Sequence, residues 1–501
     1  MERGLLRRRG RGSGRDRPQA RSPRLTGGRD ASSSPGPADG RDASSSPRLS
    51  FATVLLAGDS ARREDFESAV AALDRGEVHW LRERTERRRV ARSQLPDGTP
   101  CLVKHFLAPR RHRLRELAKR ALGQDGARRE WRALARLHAA GLCVPRPLAL
   151  LRLGRGEDAL VTEWIEGPTL SEALAAAPPA RRRALDEVGR RVRELHDAGW
   201  AHRDLHRGNV ILAETGPVFV DLQAAVPRCS QRARHRDLGM LDHSLRGRLG
   251  IGNRLRLRAA GLGLARPFDA AARAALRAAG SASQRRQRET VRSRAQRSLR
   301  AGRRARRLRL AGGTGLIARS ADETELGAAL EAQTSATRIA VRRHPARWRD
   351  LLLGSGARRG WQRGFALAAA SVPGAEPLAF VETRRFGRPG SSTLWLRAPE
   401  PCAAPSLEER VLAWARLWAR LEATGFRPPP PDEEALYFER RGGRVEAGVA
   451  AAEDVGLPRP AGPAGNPAAL DALERAWRAL GADDELCRRG RVAYRRARRC
   501  G

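Results

Sequence analysis

Beyond about residue 75 the chain alternates short apolar runs with polar turns, and only later adopts helical spacing. Val78–Arg82 and Arg89–Leu95 read as strands, Pro96-Asp97-Gly98 as a turn, and Cys101–Phe106 as a buried strand. A strongly charged helical stretch follows from Arg111 to about Leu137, then two more strands, Val144–Leu151 and Ala159–Ile165. After Gly167 the pattern turns helical over Leu170–Ala176 and Arg181–Ala198. The second of these places Leu185, Val188, Val192 and Leu195 on one face. A polar loop, Gly199–Gly208, separates it from a short hairpin, Val210–Leu212 with Val218–Val220, folded about Glu214-Thr215-Gly216. Five strands with one helix, then mostly helix carrying a polar loop, predict an α+β chain with two lobes.

Residues 1–60 do not share this texture. They are rich in Arg, Ser, Gly and Pro and contain GRDASSSP twice, at Gly28–Pro35 and Gly40–Pro47. Such a composition buries too little apolar surface to offset chain ordering, so a disordered tail is expected. The remainder has room for a sizeable core, with apolar residues at 41% of the 501. No stretch approaches the ~18 apolar residues needed to span a bilayer. The Phe51–Ala57 run is too short for that and too deep in the chain for a secretory signal. Six cysteines without a CxxC pair argue against a zinc site or a disulfide framework and fit a reducing cytosol.

Charge narrows the partners. Lys plus Arg is 97 against 56 Asp plus Glu, a net +41, which predicts attraction to polyanions: nucleic acid, anionic headgroups or phosphorylated glycans. Aromatic residues are 4% and no basic–aromatic module is present, so specific nucleic-acid recognition is not expected. All the cations except Lys104 and Lys119 are arginines, a bias read as that of a GC-rich genome. A lysine inside an apolar strand then suggests chemistry that needs a compact ammonium.

The chemistry concentrates in one loop. His202-Arg203-Asp204-Leu205-His206-Arg207-Gly208-Asn209 meets H-R-D-L-x-x-x-N, the protein-kinase catalytic-loop pattern, at every fixed position. Phosphoryl transfer needs an acceptor hydroxyl held in line and cations on the phosphates. Asp204 is the candidate acceptor-orienting carboxylate, with His202 and Arg203 completing the catalytic set. Asn209 and Asp221, the latter ending the apolar run Val218–Val220, are hard oxygen ligands suited to Mg²⁺. Lys104, in Leu102-Val103-Lys104, is placed to bind the phosphates of ATP; Glu130 is its candidate partner, and Glu163 joins them as a nucleotide-binding candidate. Glu130 also reads as a surface ion pair among Arg128, Arg129 and Arg132, and His206 either as a substrate contact or as a loop histidine facing water. Asp237 reads either as a hydrogen-bond acceptor for the loop or as a helix N-terminal carboxylate. Two departures from the kinase pattern stand out. No GxGxxG precedes Lys104, so the phosphate-covering turn is expected near Thr85–Arg88, and the metal motif is Asp221-Leu222-Gln223.

The segments Leu102–Phe106, Ala127–Leu137, Val144–Leu150, Val161–Gly167, Gly199–Leu212 and Val218–Ala224 together resemble the bacterial lipopolysaccharide core-sugar kinases, the Kdo and heptose kinase group. The resemblance covers roughly residues 75–265. It implies a protein-kinase-like fold and transfer of the ATP γ-phosphate to an inner-core sugar hydroxyl at the cytoplasmic face of the inner membrane. It also implies Lys104 and Glu130 as the ATP-binding pair, Asp204 in the catalytic role, and Asn209 and Asp221 on the metal. The arginine excess fits an anionic, phosphate-bearing glycolipid. Arg285–Arg309 alone holds twelve arginines against Glu289, read either as a solvated helical face or as a lipopolysaccharide and membrane contact.

The C-terminal half echoes the first. Ala127-Arg-Arg-Glu-Trp131 recurs as Ala357-Arg-Arg-Gly-Trp361 and Pro147-Leu-Ala149 as Pro377-Leu-Ala379, while His196–Trp200 returns as Glu422–Phe426. On this alignment Glu130 meets Gly360, the strand Thr337–Val341 ends in Arg342 instead of lysine, His202–Asp204 meets Pro428–Pro430, and Asn209 meets Ala435. The expected layout is a tail at 1–60, an active kinase-like domain at 70–275, a basic helical linker at 276–311 and a degenerate, inactive copy at 312–498. Rival readings are a small-molecule or protein kinase of the aminoglycoside-phosphotransferase or RIO-like type, and a non-catalytic scaffold. Nothing in the sequence sets an oligomeric state.

Overall fold

The computed structural model describes residues 54–500, apart from 83–87, 108–121, 123, 154–156, 175–177, 303, 311, 332–338, 349, 386–387, 398–403, 430–434 and 458–466. Strand β1 (Val54–Gly58) precedes helix α1 (Arg63–Arg75). Then come β2 (His79–Arg82), β3 (Arg88–Gln94), β4 (Pro100–Phe106), α2 (Gly126–Ala139), β5 (Pro147–Leu153) and β6 (Glu157–Glu163). The six strands form one antiparallel sheet in the order β1-β5-β6-β4-β3-β2.

The expected strands are found to within a few residues, and the folded chain starts earlier than the expected end of the tail at residue 60. The reason is apolar periodicity: Phe66, Val70 and Leu73 at helical spacing form the buried face of α1, and β1 pairs with β5 beside it. Of the charged helix expected from Arg111, residues 108–121 lie outside the described residues. The helix that is described begins at Gly126, where Asp125 accepts the Arg128 N–H as its cap.

Alternation along the strands decides which way the site residues point. Ala91, Cys101, Val103, Ala159 and Val161 pack under α1 with Phe66 and Val70. Leu150 and Leu160, on the opposite face, pack with Leu134 and Leu137 of α2. Lys104 follows Val103 and stands opposite Leu160 in register, so it falls on the α2 side.

The second lobe holds α3 (Leu170–Ala173), α4 (Pro178–Asp197), β7 (Trp200–Ala201), β8 (Val210–Ala213), β9 (Gly216–Phe219), β10 (Val226–Pro227), α5 (Gln231–Leu245), α6 (Ile251–Leu262) and α7 (Ala270–Ser298). Leu185, Val188, Val192 and Leu195 of α4 are fully buried, as their spacing predicts. The hairpin β8–β9 forms at the expected place, and β7 pairs with β10 at the mouth of the loop.

The segment expected as a linker is mostly α7, a single 29-residue helix with a buried stripe at Ala272, Leu276, Ala279, Ser283, Gln287, Val291, Ala295 and Ser298. Ala279 belongs to the core of the second lobe, whereas Val291 and Ala295 belong to the core of the C-terminal half. Arginines occupy its other faces, so one helix is solvated along its length and still seated in two cores.

The C-terminal half contains β11 (Ala305–Leu310), β12 (Gly313–Ala318), α8 (Glu323–Glu331), β13 (Ile339–His344), α9 (Asp350–Leu353), α10 (Gly356–Ala369), β14 (Glu376–Arg385) and β15 (Arg388–Arg397). It continues with α11 (Leu407–Thr424), β16 (Leu436–Arg441), β17 (Arg444–Val449), α12 (Pro467–Ala479) and α13 (Asp484–Cys500). Its main sheet runs β11-β12-β14-β15-β13, all antiparallel, and β16–β17 is a separate hairpin. Within it, β12-β14-β15-β13 repeats the order and connections of β1-β5-β6-β4, with α10 joining β13 to β14 as α2 joins β4 to β5. Lys104 faces Leu160, which faces Leu150; Arg342 faces Leu394, which faces Phe380. Phe219 N–H donates to Cys143 O at 3.0 Å, and Val449 N–H to Pro373 O at 3.0 Å. Among the described residues no strand flanks the outer edge of β13, where β3 and β2 flank β4.

Candidate active site

The cleft side of the sheet presents Lys104, and α2 presents Glu130 opposite it. The ammonium and the carboxylate form a direct ion pair, with the two residues 7% and 0% exposed. This decides against the surface-pair reading of Glu130: a charge buried this deeply is tolerated only with its partner in place. The second carboxylate oxygen of Glu130 has no hydrogen-bond partner among the described residues.

Below the sheet, the loop 202–209 is held from inside. Asp237, buried in α5, accepts the backbone N–H of His202 at 2.7 Å and of Arg203 at 2.9 Å, and lies 3.3 Å from the His196 ring. Arg203 has φ +65°, a conformation costly for a non-glycine residue, and the Asp237 bond helps to fix it. The Arg203 side chain is exposed. His202 is fully buried: Nε2 lies 3.2 Å from Val220 O, and Nδ1 accepts the Asp204 N–H at 3.4 Å. Burial lowers its pKa and so favours the neutral ring, although the Asp237 charge opposes this. His202 and Asp237 are therefore positioning residues. Asp204, partly exposed, is the carboxylate left facing solvent space. The Asn209 Nδ2 donates to Asp204 O at 3.0 Å, leaving the amide oxygen for another ligand.

Asp221 follows β9 at φ +61° and heads a short 3-10 turn, Leu222–Ala224, that packs against α2. Its carboxylate receives both arms of Arg88, at 2.9 and 2.8 Å. Burial pushes its pKa up, but the Arg88 hydrogen bonds and the Lys104 and Arg88 charges more than offset this and hold it well below the usual carboxylate range. Lys104 and Asp221 thus act on one another across one cleft, joined by Arg88, which also feels Glu130 and Asp204. A guanidinium resting on Asp221 shows that the spot suits a cation. Among the described residues no cluster of three or more His, Cys, Asp or Glu side chains is spaced to hold a metal. A divalent ion here would therefore use Asn209, Asp221 and the oxygens of a bound nucleotide, the sparse protein ligation typical of Mg²⁺.

Glu163 stands apart from this group. Its carboxylate accepts the Arg146 backbone N–H at 2.7 Å at the end of β6, so one of its oxygens ties the end of this inner strand to the residue that leads into β5. The expected covering turn near Thr85–Arg88 falls largely on 83–87, outside the described residues. His206 turns back on its own loop, Nδ1 accepting the Gly208 N–H at 3.1 Å.

Residues 71–258 match the model of the "Lipopolysaccharide kinase (Kdo/WaaP) family". The lipopolysaccharide core heptose(I) kinase WaaP of Pseudomonas aeruginosa is 33% identical over 211 residues, covering 36% of this chain and 74% of that protein. The chain belongs to this family. The KEOPS complex subunit Bud32 of Pyrococcus abyssi is 32% identical over 137 residues, 27% of this chain and 60% of its own. A 3-deoxy-D-manno-octulosonic acid kinase of Actinobacillus succinogenes is 35% identical over 89 residues, 17% of this chain and 37% of its own. The chain thus spans less than two thirds of these last two relatives. The family match contains Lys104, Glu130, Asp204, Asn209, Asp221 and Asp237, and stops before α7.

Sequence reasoning missed Arg88 as a functional residue. Its place as the last residue of the expected covering turn, where the structure begins β3, was the available signal. The α7 arginines lie in the run Arg285–Arg309 that the sequence offered as a glycolipid contact, but Arg420 of α11 was missed, because only the packing of the two halves brings it to line the same cleft as Asp204.

Proposed function

We propose that the chain is an ATP-dependent phosphotransferase that phosphorylates a sugar hydroxyl of the lipopolysaccharide inner core. The observation that carries this reading is the convergence of the buried Lys104–Glu130 pair, Asp204, Asn209 and Asp221 on one cleft. Lys104, oriented by Glu130, neutralises phosphate oxygens of ATP. Asp204 accepts the proton of the attacking hydroxyl as the new O–P bond forms and the bond to the ADP leaving oxygen breaks. Asn209 and Asp221 would hold Mg²⁺, which would offset the charge on the phosphates. Glu163 contributes by fixing the segment that follows β6, not by a free carboxylate. Family membership and the named heptose and octulosonic acid kinases among the relatives support the acceptor class.

The C-terminal half, 312–498, reads as a degenerate kinase-like copy. The shared strand order, the register that sets Arg342 at the position of Lys104, and the matching bonds of Phe219 and Val449 support duplication. Gly360 stands where Glu130 is expected. Ala451 heads the 3-10 turn Ala452–Asp454 as Asp221 heads Leu222–Ala224. The protein works at the inner face of the bacterial inner membrane, held peripherally by charge. Among the described residues no helix is long and apolar enough to cross a membrane.

Radiolabelled ATP, offered with core glycolipid, free sugars and protein extract, tests the assignment. Label is expected on the glycolipid and is expected to vanish with Asp204→Asn. Label on free sugars or protein instead would favour the small-molecule or RIO-like reading.

A further inference from the structure

A cleft of about 1140 Å³ opens beside Asp204. Three parts of the chain wall it: the catalytic loop through Arg207, helix α7 through Arg286 and Arg294, and the C-terminal half through Ser371, after α10, and Arg420, near the end of α11. Among the described residues seven arginines line it with one carboxylate, that of Asp204; Asp242 answers Arg246 and Arg254 from behind the wall and Glu446 answers Arg420, so the cations still outnumber the acids. The ratio is not that of an ordinary basic surface, where arginines interleave with acids.

Local structure explains how these cations come to share one space. Arg286, Thr290 and Arg294 recur every four residues on α7, directly beside the buried stripe Ser283, Gln287, Val291 and Ala295, so they form a ladder along one side of the helix. Arg207 is fixed by Ser171 Oγ, 3.0 Å from its Nε, while its backbone N–H donates to Ser244 Oγ at 3.0 Å. Ser371 carries φ +56° where the chain leaves α10, a backbone state that a serine adopts at some cost and that shapes the far wall. Arg420 has a carboxylate, Glu446, 3.7 Å away and keeps 44% of its side chain exposed.

The charges in this cleft act on each other. His243 is pushed down to about 4, by burial first and then by Arg246, Arg286 and Arg294. Burial and the neighbouring Arg254, Arg258 and Arg288 push Arg246 down to about 10, although Asp242 opposes this. Positive charge crowded in this way is relieved by a bound anion.

We propose that this cleft is the acceptor subsite, that it takes a saccharide bearing phosphate or carboxylate groups near the hydroxyl presented to Asp204, and that Arg294 of α7 and Arg420 of the C-terminal half determine its specificity. The proposal rests on the phosphotransferase reading and gives the degenerate half a role, that of closing one wall of the acceptor site. This wall lies outside the residues matched by the family model, 71–258.

The test uses the full chain and the variants Arg294→Gln, Arg420→Gln and Arg420→Lys, with a non-hydrolysable ATP analogue filling the nucleotide site. Calorimetric titrations employ inorganic pyrophosphate, deacylated core oligosaccharide, and the same oligosaccharide stripped of phosphate and with its carboxylates reduced to alcohols. Each glutamine variant is expected to weaken both anionic probes by about tenfold or more, with Arg420→Lys restoring most of the loss. The stripped oligosaccharide is expected to bind the unmodified protein weakly, and affinity for the ATP analogue to stay constant throughout. Equal binding of the anionic probes by the glutamine variants and the unmodified protein would overturn the proposal, as would equal affinity for the stripped sugar. A transfer assay with labelled ATP separates the two readings. Anion binding that depends on Arg294 and Arg420 without any transfer would sink the phosphotransferase assignment and leave only an anion site.

Discussion

Arg88 forks onto Asp221, Nη1 to Oδ1 at 2.9 Å and Nη2 to Oδ2 at 2.8 Å, and so ties the first residue of β3 to the residue that follows β9. Paired bonds of this kind are among the stronger polar contacts a protein makes. Here they cover both oxygens that a hard cation would need. The sheet and the helical lobe are latched together across the nucleotide cleft by a guanidinium standing where the metal is proposed to sit.

Removing the latch is expected to favour the metal. Arg88→Ala frees Asp221, so the Mg²⁺ concentration giving half-maximal ATP turnover is expected to fall by about fivefold, a gain near 1 kcal/mol. A magnesium titration of steady-state turnover measures this directly. If the variant needs more magnesium than the unmodified protein, Arg88 serves the bound nucleotide rather than blocking its cation.

Asp237 carries the catalytic loop. It is 1% exposed and accepts from two consecutive backbone amides, one of them on the strained Arg203. Asp237→Ala leaves both donors without this partner and is expected to cost about 3 kcal/mol of stability. Turnover is expected to drop by about a hundredfold, because Asp204 is displaced with the loop. Asp237→Asn, which can still accept one N–H, should fall between. Thermal unfolding and turnover measured on all three proteins check the order.

Much of this architecture was legible in the residues themselves. Alternating apolar positions gave β4, β5 and β6, and the same alternation puts Lys104 on the face opposite Val103. Fixed spacing in the loop gave Asp204 and Asn209, and an apolar run gave Asp221. Asp237 was readable as a loop acceptor, but choosing between that and a helix-capping role required its place inside α5. Glu163 reads in sequence as a nucleotide-binding candidate, and only the fold shows that one of its carboxylate oxygens accepts the Arg146 amide. The arginines of α7 read as a solvated face or a glycolipid contact on a linker. Between them runs a buried stripe of mixed residues, Ala272 to Ser298, that only the packing against two cores reveals.

Acid is expected to loosen the region around the cleft before it titrates the carboxylates. His243 has a folded pKa of about 4, below the usual 6.5, and burial lowers His202 likewise. A depressed histidine pKa adds stability that is complete above about 6.5 and is lost as pH falls toward the folded value. Asp221 acts only below its ordinary value of 3.8. The unfolding temperature should therefore decline between pH 6.5 and 4.5. His243 faces Arg246, Arg286 and Arg294, with Asp242 nearby and Thr290 Oγ1 at 3.4 Å. His243→Gln is expected to make that decline shallower by about one proton's uptake. An unchanged slope would mean that the ring is hydrated enough to titrate normally in the folded chain.

The two halves should differ completely toward ATP. In the first, the Lys104 ammonium has Glu130 of α2 as its buried partner, and Arg88 of β3 reaches Asp221. At the corresponding place in the second, Arg342 donates to Glu453 at 2.8 Å, so its charge is answered by a residue of the 3-10 turn instead of by α10, where Gly360 has no side chain to offer. Ala451 supplies no oxygen ligand from its side chain, and no strand pair covers the edge of β13 among the described residues. A phosphate entering there would have to break an ion pair whose glutamate is 11% exposed and would gain no metal in return. Equilibrium titration with MgATP is therefore expected to give one site per chain. Lys104→Ala should abolish that site, and Arg342→Ala should leave both its affinity and its stoichiometry unchanged. Two sites in the unmodified chain, or one that survives Lys104→Ala and disappears with Arg342→Ala, would transfer the nucleotide to the half assigned here as inert.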